Sequence, residues 1–92
     1  MLDIKFTSQF KKDMKRLLKQ GADKEKVDAV INALREGKGL PERMRDHALT
    51  GRYRGNRECH IEPDWLLIYR ILADELVLVA VRTGSHAELF DM

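Results

Sequence analysis

Toward one end the chain reads Arg82-Thr83-Gly84-Ser85-His86-Ala87-Glu88-Leu89-Phe90. A fixed cation, a titratable imidazole and an aromatic ring thus follow one another closely. Ser85 and Glu88 have capping-box spacing, so a short helix is expected to start at Ser85. His86 and Phe90, four apart, then share one face of it. His47, His60 and Asp64 complete the candidate set. Imidazoles take and give protons near neutral pH. A guanidinium matches phosphate oxygens and stabilises charge developing on them, and an aromatic ring stacks an unpaired base. These are the parts for metal-free cleavage of RNA, in which the substrate's own 2′-hydroxyl attacks the adjacent phosphorus and the 5′-oxygen leaves.

Two other readings use the same residues. Three histidines and an aspartate are legitimate ligands for zinc or iron, although no His-x-x-His or His-x-x-x-His pair occurs and a nearby arginine would repel a cation. A module that engages a protein partner through its sheet and terminal helix needs no chemistry at all. The single cysteine, Cys59, excludes an internal disulfide and a multi-cysteine metal site. It is expected as a buried strand residue.

The elements that must position these groups follow from periodicity. Ile4 to Phe6 reads as a short strand, and Thr7 or Ser8 can cap a helix with Phe10, Met14, Leu17 and Leu18 on its apolar face. Gly21 stops it. Asp23 can cap a second helix, whose Val27, Val30, Ile31 and Leu34 form a buried stripe; Gly37 and Gly39 end it. Leu40 to Asp46 is a loop with Arg43 and Arg45 exposed. His47 to Gly51 is extended, and 52–56 is a basic turn. Arg57 to Glu62 alternates, sending Glu58, His60 and Glu62 to one face and Cys59 and Ile61 to the other. Pro63-Asp64 turns into an apolar, central strand from Trp65 to Leu72, and Leu76 to Val81 returns beside it, ended by Arg82 and a turn at Gly84. The expected fold class is α+β: a helical hairpin packed on a twisted antiparallel sheet, with a short C-terminal helix. In that meander His60, Asp64 and Arg82 converge on one edge.

With 92 residues the chain forms a single domain, 1–92. No apolar run approaches the length of a membrane span. Met1 to Phe6 has no signal-peptide apolar region, so a cytoplasmic location is expected. A net charge of +2 is uninformative, but its distribution is not. Residues 1–46 carry 12 Lys and Arg against 8 Asp and Glu; residues 47–92 carry 5 against 7, with no lysine and all three histidines. The first half reads as a basic support and the second as the site.

The blocks Asp46-His47-Ala48-Leu49-Thr50-Gly51, His60-Ile61-Glu62-Pro63-Asp64-Trp65-Leu66-Leu67-Ile68-Tyr69 and Arg82 to Phe90, in that order, carry a resemblance that spans nearly the whole chain. The chain resembles the RelE/ParE superfamily of bacterial toxins and, within it, the YafQ-type mRNA interferases. That resemblance implies a microbial RNase fold and cleavage of mRNA in the ribosomal A site without metal or cofactor. It further implies products ending in a 2′,3′-cyclic or 3′-phosphate and a 5′-hydroxyl, arrest of translation, and an antitoxin partner that wraps and inhibits the toxin. Carried over by position, it implies that His86 is the general acid and that His47, His60 and Asp64 supply the base and orient the 2′-hydroxyl. Arg82 would clamp the phosphate and Phe90 position a base. The ParE branch, which poisons DNA gyrase without nuclease residues, is the alternative; the histidine set speaks against it.

Overall fold

The computed structural model describes residues 1–90; Asp91 and Met92, the last two of the expected domain, lie outside the described residues. The chain runs β1 (Asp3–Phe6), α1 (Ser8–Lys19), α2 (Lys24–Arg35), β2 (His47–Ala48), β3 (Arg57–Glu62), β4 (Trp65–Leu72), β5 (Val77–Gly84) and α3 (His86–Phe90). Thr7 rather than Ser8 caps α1. Its hydroxyl oxygen accepts the Phe10 N–H at 2.9 Å and donates to the Val81 carbonyl at 2.7 Å, which ties the helix start to the sheet. Asp23 caps α2 by accepting the Glu25 N–H at 3.0 Å. Between the helices Gly21 adopts φ +90°, the left-handed turn that a side chain would strain.

The two helices cover one face of the sheet. Phe10, Met14 and Leu17 of α1 and Val27, Val30, Ile31 and Leu34 of α2 pack on Cys59, Trp65, Leu67, Tyr69, Leu78 and Ala80. Leu18, expected on the apolar stripe, is instead 43% exposed. The helix is rotated so that Asp13, an acidic residue, is fully buried in its place.

Strand order is β1-β5-β4-β3-β2. Strands β2 to β5 form the expected antiparallel meander, but β1 joins β5 in parallel, so the sheet is mixed rather than antiparallel throughout. The helical hairpin supplies much of the long connection between β1 and its neighbour. Central β4 buries Trp65 to Tyr69 without interruption. Its odd-numbered members there face the helices, while Leu66 and Ile68 pack under Leu89 of α3 on the opposite face. Cover on both faces explains why this strand reads as continuously apolar.

Two irregularities shape the site. Strand β5 does not end before Arg82; pairing continues through Ile68–Arg82, Leu67–Thr83 and Leu66–Gly84, with one register shift near Val81. Gly84 is therefore the last strand residue and not the turn expected of it. A second shift between His60 and Glu62 breaks the alternation of β3. The Glu62 carboxylate is thereby 3.4 Å from Lys26 of α2, instead of sharing the face of Glu58 and His60 as expected.

Candidate active site

Ladder partners share a face of the sheet, and the register therefore says which side chains meet. On the face away from the helices one row runs His47, Glu58, Ile68, Arg82, and the next runs His60, Leu66, Gly84. Strand β5 ends at Gly84, and α3 folds back over Leu66 and Ile68, held down by buried Leu89. Its first residue, His86, is thus delivered to the end of the His60 row. The two imidazole centroids stand 5.4 Å apart.

The start of α3 has the geometry that its capping box dictates. The Ser85 N–H donates to Glu88 Oε1 at 2.8 Å and the Glu88 N–H donates to Ser85 Oγ at 3.2 Å. A side chain at Gly84 would collide with that carboxylate: an added Cβ would lie 2.9 Å from Glu88 Oε1. The far end of the helix is fixed through the Leu89 carbonyl, which accepts from Arg52 Nη2 at 3.1 Å and from the Tyr53 hydroxyl at 3.2 Å. Phe90 packs edge-on against Tyr53 at 5.5 Å and lies 6.3 Å from His86, on the face shared by both as the spacing predicted.

Asp64, at the β3–β4 turn, sits behind His86. Its Oδ1 accepts both the His86 backbone N–H and a contact from Nδ1, each at 3.1 Å. These two bonds hold the Asp64 carboxyl below the usual carboxylate range, the backbone bond most. With Nδ1 committed to Asp64, Nε2 is the free nitrogen of His86.

His47, Glu58, His60 and His86 line a hollow of about 610 Å³, together with Arg43, Met44, Arg45, Ile61, Glu62 and Pro63. Glu58, which the alternation of β3 had placed beside His60 but which carried no expected role, is at its floor. It is 5% exposed. Its Oε2 is 3.3 Å from His47 Nε2, its Oε1 is 3.8 Å from His60 Nε2, and Oε1 has no hydrogen bond. His60 Nδ1 lies 3.3 Å from the Pro63 carbonyl. Glu58, His60 and His86 each bring one ligand atom to within 4.8 Å of the others. Two imidazoles and a carboxylate form a donor set for zinc or copper. The metal-capable cluster thus exists, but it uses Glu58 and not Asp64.

Arg82 is placed differently from the sequence expectation. Its row puts it on the same face, yet the guanidinium turns around the sheet edge to Asp13 of α1, with Nε to Oδ2 at 3.1 Å and Nη2 to Oδ1 at 3.0 Å. It does not line the hollow. Asp13 also accepts from Gln9, Arg16 and the Thr83 N–H. Burial would raise the Asp13 carboxyl, but these bonds, that of Arg82 first, overcome it and hold the carboxyl below its ordinary range. This network closes the β5 edge where β1 has stopped. Cys59 is inert: burial pushes its thiol up to about 12.

Comparisons with known proteins show the family. Residues 2–91 match the family described as bacterial toxin of type II toxin–antitoxin system, YafQ. The mRNA interferase toxin YafQ of Escherichia coli K12 is 40% identical over 89 residues, covering 96% of this chain and 95% of the relative. A metal-bound toxin from Helicobacter pylori superposes with TM-score 0.93 at 42% identity, covering 98% of this chain and all of the other. YafQ in the E. coli DinJ–YafQ complex superposes with TM-score 0.85 at 40% identity, covering 98% and 99%. This chain belongs to the YafQ family of type II toxin–antitoxin toxins, within the RelE/ParE superfamily.

Proposed function

We propose that the protein is a ribosome-dependent mRNA endoribonuclease that cuts by 2′-hydroxyl attack without a metal, and that an antitoxin binds and silences it. The observation that carries this reading is the convergence of Glu58, His60 and His86, from two strand positions and a separate helix, on one solvent-reachable hollow. Membership of a family with an mRNA interferase relative supports the substrate class, and the DinJ–YafQ complex supports a protein antitoxin. Ribosomes place the site of action in the cytoplasm; among the described residues no helix is long and apolar enough to cross a membrane.

The chemistry needs a base for the 2′-hydroxyl proton, an acid for the departing 5′-oxygen, and cations for the phosphorane. Cleavage breaks the P–O5′ bond as the 2′-oxygen bonds to phosphorus, leaving a 2′,3′-cyclic phosphate and a 5′-hydroxyl. His86 is the acid. Asp64 holds its Nδ1 side and stabilises the imidazolium, which leaves Nε2–H for the leaving oxygen. The base is the Glu58–His60 pair. Glu58 Oε1 is buried 3.8 Å from His60 Nε2, so the carboxylate sits behind the imidazole and stabilises the charge His60 gains on taking the substrate's proton. His47 faces the other oxygen and orients the carboxylate. Arg82, held on Asp13 outside the hollow, would reach the phosphate only by leaving that carboxylate, and Phe90 offers a face for a base. A gyrase-poisoning toxin has no need of this cluster.

The test is to map mRNA 5′ ends in a translating extract given wild-type protein or His86→Ala. Wild type is expected to produce new 5′-hydroxyl ends at in-frame positions, and the variant none at equal folded concentration. Equal cleavage by both proteins defeats the assignment.

A further inference from the structure

The turn between α2 and β2 contains a strained residue in an otherwise well-anchored loop. Arg45 has φ 47° and ψ 46°, a left-handed conformation that costs a non-glycine residue about 1–2 kcal/mol. Both of its neighbours are fixed. Met44 packs against the main core, and the Asp46 carboxylate accepts from the Tyr69 hydroxyl and from Arg57 Nε at 3.2 Å. A flexible loop would relax into an ordinary conformation; this one is pinned on both sides, and the left-handed residue projects an exposed guanidinium. Arg43, two residues earlier, is exposed as well. Both line the hollow that holds His60 and His86. Among the described residues neither has an ion-pair partner, whereas Glu62 and Glu58 on the same walls are matched by Lys26 and His47.

Resting on the nuclease reading, we propose that Arg43 and Arg45 form a second phosphate subsite, which grips an RNA phosphodiester next to the one being cut. The hollow's volume suits a drug-sized ligand, leaving room for a neighbouring nucleotide beyond the reacting phosphate. Arg82, the cation expected at the reacting phosphate, is tied to Asp13 and outside this wall. The 43–45 pair is therefore the cationic contribution on the β2 side. It acts on binding and register along the strand, not on the bonds that change.

The experiment measures affinity for ribosomes programmed with an mRNA whose A-site nucleotides are 2′-deoxy, so that no cleavage occurs, across a salt series. The Arg43→Gln/Arg45→Asn double variant keeps the turn, since asparagine tolerates left-handed backbone. It is expected to bind roughly tenfold more weakly, with a salt slope reduced by about 0.7, the value for one single-strand phosphate lost. Arg43→Lys/Arg45→Lys should restore the slope. A change that requires mRNA in the A site supports the subsite; one that persists on vacant ribosomes places the phosphate in ribosomal RNA and overturns it. Unchanged affinity and slope overturn the subsite, as does a double variant that binds RNA normally but loses its antitoxin. Because binding is read without cleavage, the result is independent of the His86→Ala test, whose failure would remove the nuclease reading instead.

Discussion

His60 and His86 face each other at a centroid distance of 5.4 Å with their rings inclined by 58°. One stands on β3 and the other opens α3, and nothing links them in sequence. They meet because the row His60–Leu66–Gly84 runs across three strands and the chain leaves the sheet at its end. A glycine at that exit lets the capping carboxylate of Glu88 close on Ser85. The same geometry sets Glu58, one row along, beside His60 and leaves one of its oxygens unsatisfied.

The closeness of the Glu58 carboxylate to His60 leads to the first prediction. Glu58→Gln keeps the side chain's shape but loses the charge behind the imidazole. Single-turnover cleavage on programmed ribosomes should slow by about 10²-fold or more, the usual contribution of a general base, with ribosome affinity changed little. A rate within a few-fold of wild type would move the base to another group.

Metal ions should compete with catalysis. The lone pairs that would ligate an ion on Glu58, His60 and His86 are those needed for proton transfer. EDTA-treated protein is expected to cleave fully, and added zinc to inhibit, with weaker zinc binding by calorimetry in Glu58→Gln and His60→Ala. Activity abolished by EDTA and restored by zinc would reverse the mechanism.

The elements and most of the site were legible in the sequence because they follow short-range rules. Helical spacing located both stripes, and the Ser85–Glu88 box located the start of α3. What escaped depends on long-range pairing. Nothing in Leu76 to Gly84 shows that β1 will dock in parallel and stop at Phe6, leaving the Thr83 N–H to be satisfied from a helix. The helical spacing therefore singled out nothing at Asp13, and Arg82 was expected at the phosphate and not on that carboxylate. Glu58 was placed on the correct face, but its burial depends on His47 and β2 lying over it, and that pairing is only two residues long.

Asp13 makes stability sensitive to acid. Its carboxyl is lowered in the folded protein, so the stabilisation is complete above the unfolded value near 3.9 and is lost as pH falls below that toward the folded value. Thermal midpoints should fall through that range more steeply in wild type than in Asp13→Asn. At neutral pH the variant should already be less stable by about 3 kcal/mol, because it leaves Arg82 and Arg16 without their buried partner. Denaturant titrations that find the two equally stable at neutral pH would show that the network does not contribute.

The last prediction concerns how His86 is kept in place. A helix of five residues is not stable alone. Besides Leu89, α3 is tied to α1 by Arg16, whose Nε is 2.8 Å from Glu88 Oε2. Arg16 also reaches Asp13 and the Thr83 carbonyl, so α1, the β5 edge and α3 are joined through one guanidinium. Glu88→Gln retains an oxygen to accept the Ser85 N–H and loses only the ion pair. Both groups are partly exposed, so global stability should drop by less than about 1 kcal/mol. The local consequence should be larger. Amide exchange in residues 86–90 is expected to quicken while exchange in β4 stays at the wild-type rate, and cleavage should fall about tenfold without a matching loss of ribosome affinity. Unchanged exchange in α3 together with unchanged cleavage would mean that Leu89 and the contacts to its carbonyl hold His86 without help from α1.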